Sequence, residues 1–378
     1  MTIRKRGDNW LVTVEIGKDP ATGRRRRNYV TVSSKREAEA EEAKLRHEAA
    51  MGLDLEPTRL TLAEYLVQWL DAVRGNVAPS TYVRYEGMMR RQVIPYIGGI
   101  ALSKLRPLHI QQLYARLRKG GRADGEPLSP RSLLHVHRVL SEALKQATLW
   151  QLAPRNVCDA VEAPKARRTD IKTIGPGEVR ELIEAALAED SPYGDCAVLA
   201  LHTGLRLGEL LGLRWEDVDL ERGHVRVRRS LQHLPGQERE FREPKTARGR
   251  RTIPLGATAI SVLERLRRRQ IEERLASGPG YKNEALVLAT SVGTPLNGGN
   301  VRRAFYRITS RLGLAPLRFH DLRHTHATLL LARGVHPKVV SERLGHASIG
   351  LTLDTYSHVL PNLQEEAIRD FDAWISAT

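Results

Sequence analysis

The sequence predicts an α+β protein of several domains. We expect a small module of three strands and one helix, then an all-helical domain, then a mostly helical domain with a small antiparallel sheet. Three observations support this class. The 378 residues exceed one ordinary domain, and an apolar fraction of 41% suffices for packed cores. Apolar residues alternate near the N-terminus and between residues 224 and 255, whereas helical spacing dominates elsewhere.

The small module spans residues 1–55. An alternating stretch around Trp10 and Val12 is followed by the turn cluster GKDPATG (17–23), and alternation resumes in RRRRNYVTV (24–32). TIRKR (2–6) adds a third strand, and Ser34 caps a helix over KREAEAEEAKLRHEAA. Because three strands and one helix make a thin core, we interpret this module as a satellite of the larger domains.

The all-helical domain spans residues 61–163, after the linker LEPTRLT. Its first helix lies over TLAEYLVQWLDAV, and its second, APSTYVRYEGMMRRQVIPYIG, begins at a Ser80 cap. A third helix ends on Gly120, a usual helix stop, and an amphipathic helix follows over residues 129–150. Residues 164–176 contain two prolines and several charges and therefore predict a flexible linker.

Residues 177–378 form the third domain. We expect helices near residues 177–189 and 193–213, followed by strands from HVRVRRSLQ (224–232) to RRTIPL (250–255). Helices then return over residues 259–276 and from residue 299 to the end.

The net charge is +16 at pH 7, the pI is near 10.1, and arginine supplies most of the cations. A polyanionic partner is expected, because neutralising phosphates releases counterions, although a GC-rich genome would produce the same arginine bias. Aromatic residues, at 5%, are too few for a single-strand binder that works mainly by stacking. The cations of the small module favour a nucleic-acid-binding face over a solvated edge. They are Arg4, Lys5, Arg6, Arg24, Arg25, Arg26 and Arg27.

Two features indicate a reducing, cytoplasmic setting. No apolar run reaches membrane-spanning length, and the start MTIRKRGDNW lacks the apolar segment of a signal peptide. Cys158 and Cys196 lie in no C-x-x-C pair, so we expect buried thiols and neither a disulfide frame nor a cysteine zinc site.

The stretch FHDLRHTHATLL (319–330) raises the question of a metal site. His320 and His324 are spaced as in the H-E-x-x-H zinc motif, with an acidic residue directly after the first histidine. Arg323 lies on the same helix face as His320 and would repel a divalent ion. We therefore predict no metal here, and expect His324 and His326 to pack or to form hydrogen bonds.

Four segments of the third domain carry candidate catalytic residues, and each is weak alone. In TGLRLGE, Arg206 precedes Glu209 by one helical turn, so the carboxylate either orients the guanidinium or forms a routine surface pair. Lys245 lies between two β segments in EPKT, and HDLR pairs His320 with Arg323. The fourth segment, LGHASIGLTLDTY, places His346 ten residues before Tyr356.

Together these groups suit phosphoryl transfer. Two arginines and histidine N–H donors stabilise charge on the non-bridging oxygens of a phosphodiester without a metal. A phenol is a weak nucleophile at neutral pH and needs a base or surrounding cations, and a lysine or histidine can protonate the departing 5′-oxygen.

In the order and spacing of these motifs, the third domain resembles the catalytic domain of tyrosine recombinases, the phage and mobile-element integrases. The resemblance implies a site-specific recombinase that cleaves and rejoins duplex DNA through a 3′-phosphotyrosyl intermediate, without metal, ATP or other cofactor. It implies that Arg206, Arg323 and His346 bind the scissile phosphate, and that Tyr356 attacks it. His320 would exchange a proton with the nucleophile, Lys245 would be the general acid, and Glu209 would support Arg206.

The resemblance extends to the rest of the chain. Residues 61–163 look like the core-DNA-binding domain of these integrases, and residues 1–55 like their arm-DNA-binding module. The implied partners are double-stranded DNA at core and arm sites, three further copies of the chain in a tetramer, and DNA-bending and excision-factor proteins.

The C-terminal segment NLQEEAIRDFDAWISA has an apolar stripe at helical spacing: Leu363, Ala367, Ile368, Phe371, Trp374 and Ile375. Such a stripe packs either on its own domain or on a neighbouring protomer, and the resemblance favours the neighbour.

Two other functions remain open from the residues alone. One is a catalytically silent DNA-binding architectural or regulatory protein, which an intact catalytic set disfavours. The other is a metal-dependent hydrolase, which would lose activity in EDTA.

Overall fold

The computed structural model describes residues 2–18, 25–50, 60–122, 124–166, 171–233, 239–244, 249–356 and 363–376. The chain divides into two compact units, Met1–Thr169 and Asp170–Thr378. Across the described ranges, no helix combines the length and the apolar character that crossing a bilayer requires.

The first unit opens with an antiparallel sheet of three strands in the order β1 (Thr2–Arg6), β2 (Asn9–Lys18) and β3 (Arg25–Val32). Helix α1 (Lys35–Ala50) packs against β2. The expected strands and helix are confirmed. The Oγ of Ser34 accepts a hydrogen bond from the Glu37 N–H at 3.2 Å, as the expected cap requires. Most of the turn cluster lies outside the described residues.

The rest of the first unit is helical, as expected. Thr61 and Glu64 cap the first helix reciprocally, and the side chain of Ser129 caps the last one. Trp69 and Tyr65 are among the largest buried side chains of the core that these helices share. The helices are α2 (Leu62–Val73), α3 (Pro79–Met88), α4 (Ile94–Ile97), α5 (Pro107–Gly120) and α6 (Pro130–Leu149).

The prediction for the second helix of this region, α3, is wrong in two details. This helix begins at Pro79 after Ala78, so Ser80 lies inside the helix and does not cap it. A proline is favoured at that first position because its missing N–H would have no partner there. The helix is also interrupted by a π turn over Met89–Val93, in which the Ile94 N–H donates to the Met89 carbonyl. The turn ends two residues before Pro95, which cannot donate a backbone hydrogen bond.

The second unit begins with three helices, α7 (Pro176–Ala188), α8 (Pro192–Thr203) and α9 (Leu207–Leu211). Most of α8 is buried at the centre of the core. The prediction of one helix over 193–213 is wrong, because the chain breaks at Gly204, whose φ of +67° ends α8 in the left-handed conformation. Arg206 lies in this break.

The predicted small sheet is present. Strands β4 (Val218–Asp219), β5 (His224–Val227), β6 (Ser230–Gln232), β7 (Glu240–Arg242) and β8 (Arg251–Pro254) form two antiparallel sheets. Their orders are β4-β5-β8 and β6-β7. The stretch that joins β7 to β8 is described only up to residue 244 and from residue 249.

Helices account for most of the remaining chain, as expected. They are α10 (Ala257–Ser277), α11 (Gly298–Arg311), α12 (Asp321–Ala332), α13 (Pro337–Leu344), α14 (Ile349–Tyr356) and α15 (Leu363–Ser376). Cys158 and Cys196 are both buried, which confirms the prediction of buried thiols.

Candidate active site and DNA-binding face

Arg206 lies at the N-terminus of α9. Its backbone N–H donates to Oε2 of Glu209 at 3.0 Å, and its Nη1 donates to Oε1 of the same carboxylate at 2.8 Å. The Arg206 side chain is 44% exposed, whereas that of Glu209 is 5% exposed. The two residues therefore form no routine surface pair. A buried carboxylate holds a guanidinium group whose side chain is nearly half exposed.

Arg323 is a buried cation that joins two turns. From the first turn of α12, its Nη1 donates to the Gly204 carbonyl and its Nη2 to the Leu344 carbonyl, both at 2.6 Å. Gly204 follows α8 and precedes Arg206, and Leu344 ends α13 just before His346. One planar guanidinium thus fixes the separation of the turns that carry Arg206 and His346.

Gly204 is required at its position for two reasons. Its φ of +67° is one that side-chain-bearing residues rarely adopt. A Cβ there would also approach Cδ2 of Leu344 to 2.7 Å and Cδ2 of His326 to 2.8 Å. This close approach lets the carbonyl of the turn meet Arg323.

His346 is buried in the turn after α13, where its Nδ1 lies 2.7 Å from the Oγ1 of Thr352, a buried residue of α14. Burial lowers the pKa of His346 to about 3, and the charges of Arg323 and Arg206 act in the same direction. The ring is therefore neutral at neutral pH, and Thr352 fixes its orientation.

His320 directly precedes α12, and the residue as a whole remains exposed although neighbouring groups partly desolvate its ring. Its ring meets that of His324 edge-on, with the centroids 5.0 Å apart. Desolvation lowers the pKa of His320, and the positive charges of Arg323 and Arg206 lower it further. Since the same two arginines act on both His320 and His346, the structure brings four of the expected site residues into one neighbourhood.

The side chains of two expected catalytic residues, Tyr356 and Lys245, lie outside what the structure describes. Tyr356 is the last residue of α14, and the structure describes its backbone but not its side chain. Lys245 lies outside the described residues.

The acidic residue of the zinc-like motif around His320, Asp321, forms hydrogen bonds within its own segment. The carboxylate of Asp321 is fully buried and accepts from the backbone N–H and the guanidinium of Arg318 at 2.8 to 3.1 Å. These hydrogen bonds stabilise the N-terminal end of α12. Among the described residues there is no group of three or more histidine, cysteine or acidic side chains arranged to hold a metal ion.

Sequence reasoning missed two arginines beside the site. Arg343 donates from Nε to Nε2 of His326 at 2.9 Å, so His326 is a hydrogen-bonding histidine, one of the two roles expected for it. Arg251 also donates to Glu209, from Nη2 to Oε2 at 2.9 Å. For Arg251, strand alternation was the one sequence signal of burial. Arg251 and Ile253 lie two residues apart in β8, so their side chains point to the same face, and Ile253 is fully buried.

Among the described residues of the first unit, no helix packs against one of the two faces of the three-stranded sheet. Ile3 and Val12 pair and point toward α1, so alternation places Arg4 and Arg6 on the opposite face. Arg27 and Tyr29 lie on that same face, and Tyr29 is 58% exposed. Lys5 pairs with Trp10 on the helix side. The structure describes only the backbone of Arg25 and Arg26, and Arg24 lies outside the described residues.

Comparison with known proteins decides the family. The pattern described as the phage integrase family matches residues 172–362, and that of the phage integrase N-terminal SAM-like domain matches residues 61–118. The chain belongs to the phage integrase family. It is a tyrosine recombinase, an enzyme of site-specific DNA recombination.

Relatives match over nearly the whole chain. A tyrosine recombinase XerC-like protein of Caldanaerobacter subterraneus subsp. tengcongensis is 31% identical, over 95% of this chain and 94% of its own. The ICEBs1 integrase of Bacillus subtilis is 27% identical, over 98% and 99%.

Two solved integrases share the fold. The Tn1549 transposon integrase in complex with transposon right end DNA superposes with a TM-score of 0.67, at 22% identity, over 82% of this chain and 99% of that one. A lambda integrase dimer bound to a COC′ core site gives 0.61, at 20% identity, over 94% of both chains. The predicted fold class is thereby confirmed.

Proposed function

We propose that this phage integrase family member cleaves and rejoins the DNA of a phage or other mobile element with Tyr356 as nucleophile, integrating and excising that element. The observation that carries the proposal is the convergence of Arg206, Arg323, His320 and His346 in one neighbourhood, with Arg206 and His320 on its exposed side and Arg323 and His346 buried. This convergence supplies cations and hydrogen-bond donors for a phosphate from three separate segments of the chain.

The residues divide the work by position. Arg206 presents a partly exposed guanidinium to the scissile phosphate, and Arg323 adds a buried positive charge behind it. His346, neutral and oriented by Thr352, donates a hydrogen bond to a non-bridging oxygen. His320, whose lowered pKa leaves the ring neutral, accepts the phenolic proton. These roles stay proposals for each residue.

The cleavage step balances without a cofactor. The Tyr356 oxygen forms a bond to phosphorus as the bond from phosphorus to the 5′-oxygen breaks. The phenolic proton passes to His320, and Lys245 protonates the departing 5′-oxygen. The 3′-phosphotyrosyl link keeps the bond energy, so the 5′-hydroxyl of a partner duplex can attack it and reseal the strand.

The partners follow from the family and from the described surfaces. Among the related structures, a lambda integrase tetramer is bound to a Holliday junction, with a TM-score of 0.58. We propose that this chain likewise acts on duplex DNA as a homotetramer, exchanging two strand pairs in turn. We also propose that residues 61–163 bind the core site and that residues 1–55 bind arm sites. DNA-bending and excision-factor proteins are further proposed partners.

A nicked attachment-site duplex tests the proposed chemistry. Cleavage next to the nick releases a short fragment that diffuses away, so the covalent intermediate accumulates. Tyr356→Phe removes the attacking oxygen and is expected to abolish the protein–DNA adduct while DNA binding is retained. Tyr306→Phe changes an exposed tyrosine of the same unit and serves as the matched control. An adduct that persists in Tyr356→Phe would refute the assignment.

A further inference from the structure

Arg251 is a buried arginine at the start of β8, next to the site but outside the proposed catalytic set. Its side chain is 7% exposed. Its Nη2 donates to Oε2 of Glu209 at 2.9 Å, and its Nη1 lies 3.4 Å from Oε1 of the same carboxylate. Glu209 is therefore held between two arginines, with Arg251 on the buried side and Arg206 on the exposed side.

The charges of this trio determine what Arg206 can offer a phosphate. Two guanidinium groups and one carboxylate sum to +1, whereas Arg206 and Glu209 alone would sum to zero. Burial by itself would raise the pKa of Glu209, but the charges and hydrogen bonds of Arg251 and Arg206 hold it below its ordinary value. The carboxylate is thus ionised, and its charge must be balanced by one of the two arginines.

Arg251 also contacts two other segments of the site. Its Nε donates to the Arg343 carbonyl at 2.7 Å, at the end of the helix that leads to His346. Its Nη1 donates to the Gly249 carbonyl at 3.1 Å. Gly249 follows the stretch that contains Lys245, and an added Cβ there would come within 2.4 Å of Cβ of Pro244. The two described flanks of that stretch therefore meet beside Arg251.

We infer that Arg251 is a positioning residue for strand cleavage: it neutralises Glu209, which leaves the charge of Arg206 free for the scissile phosphate. This inference rests on the proposed function. Without Arg251, Glu209 would draw the Arg206 guanidinium into a neutral, closed pair, and the transition state would lose the charge of one arginine.

The test is a double-substitution cycle on the nicked substrate, measured as the single-turnover rate of adduct formation at saturating protein. Arg251→Met is expected to slow cleavage by about 100-fold, the usual effect of removing one charge-stabilising donor. Adding Glu209→Gln removes the unbalanced carboxylate while keeping an acceptor for Arg206. The double variant is expected to cleave at least about 10-fold faster than Arg251→Met alone.

Rescue by Glu209→Gln separates charge balance from packing. If Arg251 served only to pack the strand, the second substitution would add a further loss, and a double variant as slow as Arg251→Met or slower would overturn the inference. Arg250→Met, the matched control, removes an exposed arginine that pairs with Glu243. It is expected to cleave within about threefold of wild type, because surface substitutions away from special features change little.

A third variant covers the case in which Arg251→Met fails to fold. Arg251→Lys keeps the charge beside Glu209 and gives up the forked hydrogen bonds, so we expect its cleavage rate to lie within about 10-fold of wild type. If Arg251→Lys folds but cleaves about 100-fold more slowly than the wild type, the inference is contradicted. A failure of the proposed function is distinguishable from a failure of this inference, because in that case the wild-type enzyme itself would form no covalent adduct.

Discussion

Arg323 shows how one side chain organises this site. It is 3% exposed, and its Nη1 and Nη2 donate to the backbone carbonyls of Gly204 and Leu344. A buried charge is costly unless hydrogen bonds satisfy it, so both turns must keep their carbonyls in place. A lysine has a single nitrogen and cannot span both turns with the same geometry. The arginine therefore holds together the fold of the proposed site.

His326 yields a prediction about pH. Burial lowers its pKa to about 3, with the charge of Arg343 acting in the same direction, although a hydrogen bond with the Leu201 backbone opposes the shift. An unfolded histidine protonates near pH 6.5. The stability that depends on the neutral ring is therefore complete above about pH 6.5, and it is lost as the pH falls toward 3, at about 1.4 kcal/mol per pH unit.

His326→Gln keeps an acceptor for the Arg343 Nε but does not titrate. We expect the unfolding free energy of this variant to decrease less from pH 7 to pH 5 than that of the wild type. Chemical denaturation at both pH values measures the difference. His336→Gln, at an exposed histidine of the same unit, is the control. Equal pH dependence in wild type and His326→Gln would contradict the assigned pKa.

The motifs of the sequence selected Arg206, His320, Arg323 and His346 as candidates because their residue types and order are specific in combination. Arg251 and Arg343 could not be found in this way. Arg251 ends the run RGRR, in which only the strand register distinguishes a buried arginine from an exposed one. Their partners, moreover, are distant in sequence: Glu209 is 42 residues from Arg251, and His326 is 17 from Arg343.

The break between α8 and α9 is the element on which the site is built. Apolar periodicity alone predicts one helix over residues 193–213, because buried leucines continue at helical spacing on both sides of Gly204. The break depends on a glycine conformation and on a distant arginine that binds its carbonyl. Local sequence shows the glycine but not that contact.

The sheet of the first unit offers a test at the same scale. Arg4 and Arg6 lie on the face without a helix, so Arg4→Ser with Arg6→Ser is expected to weaken binding to arm-site DNA about tenfold or more at fixed salt, through lost phosphate contacts. Cleavage at an isolated core site should be spared. Replacing Lys35 and Arg36, exposed on α1, is the control. An equal loss at both kinds of site would disprove a separate arm module.

At the scale of the whole molecule, α15 carries an exposed apolar stripe. Ile368, Phe371, Trp374 and Ile375 are each more than half exposed in the single chain. Burying one such side chain stabilises an association by about 1.5–3 kcal/mol. The sequence predicted both the helix and its apolar stripe.

Deleting residues 363–378 is expected to abolish higher-order assembly on DNA, measured on native gels, while binding of one protomer to one half-site persists. Ile271→Ser with Leu275→Ser removes two exposed apolar side chains from α10 and should leave assembly intact. Unchanged assembly after the deletion would show that α15 does not join protomers.

Mass spectrometry of the trapped adduct gives the most direct test of the account as a whole. After nuclease and protease digestion of the complex formed in EDTA, we expect one nucleotide remnant, joined through its 3′-phosphate to the phenolic oxygen of Tyr356. A remnant on any other side chain, or an adduct that forms only when a divalent metal is added, would contradict it.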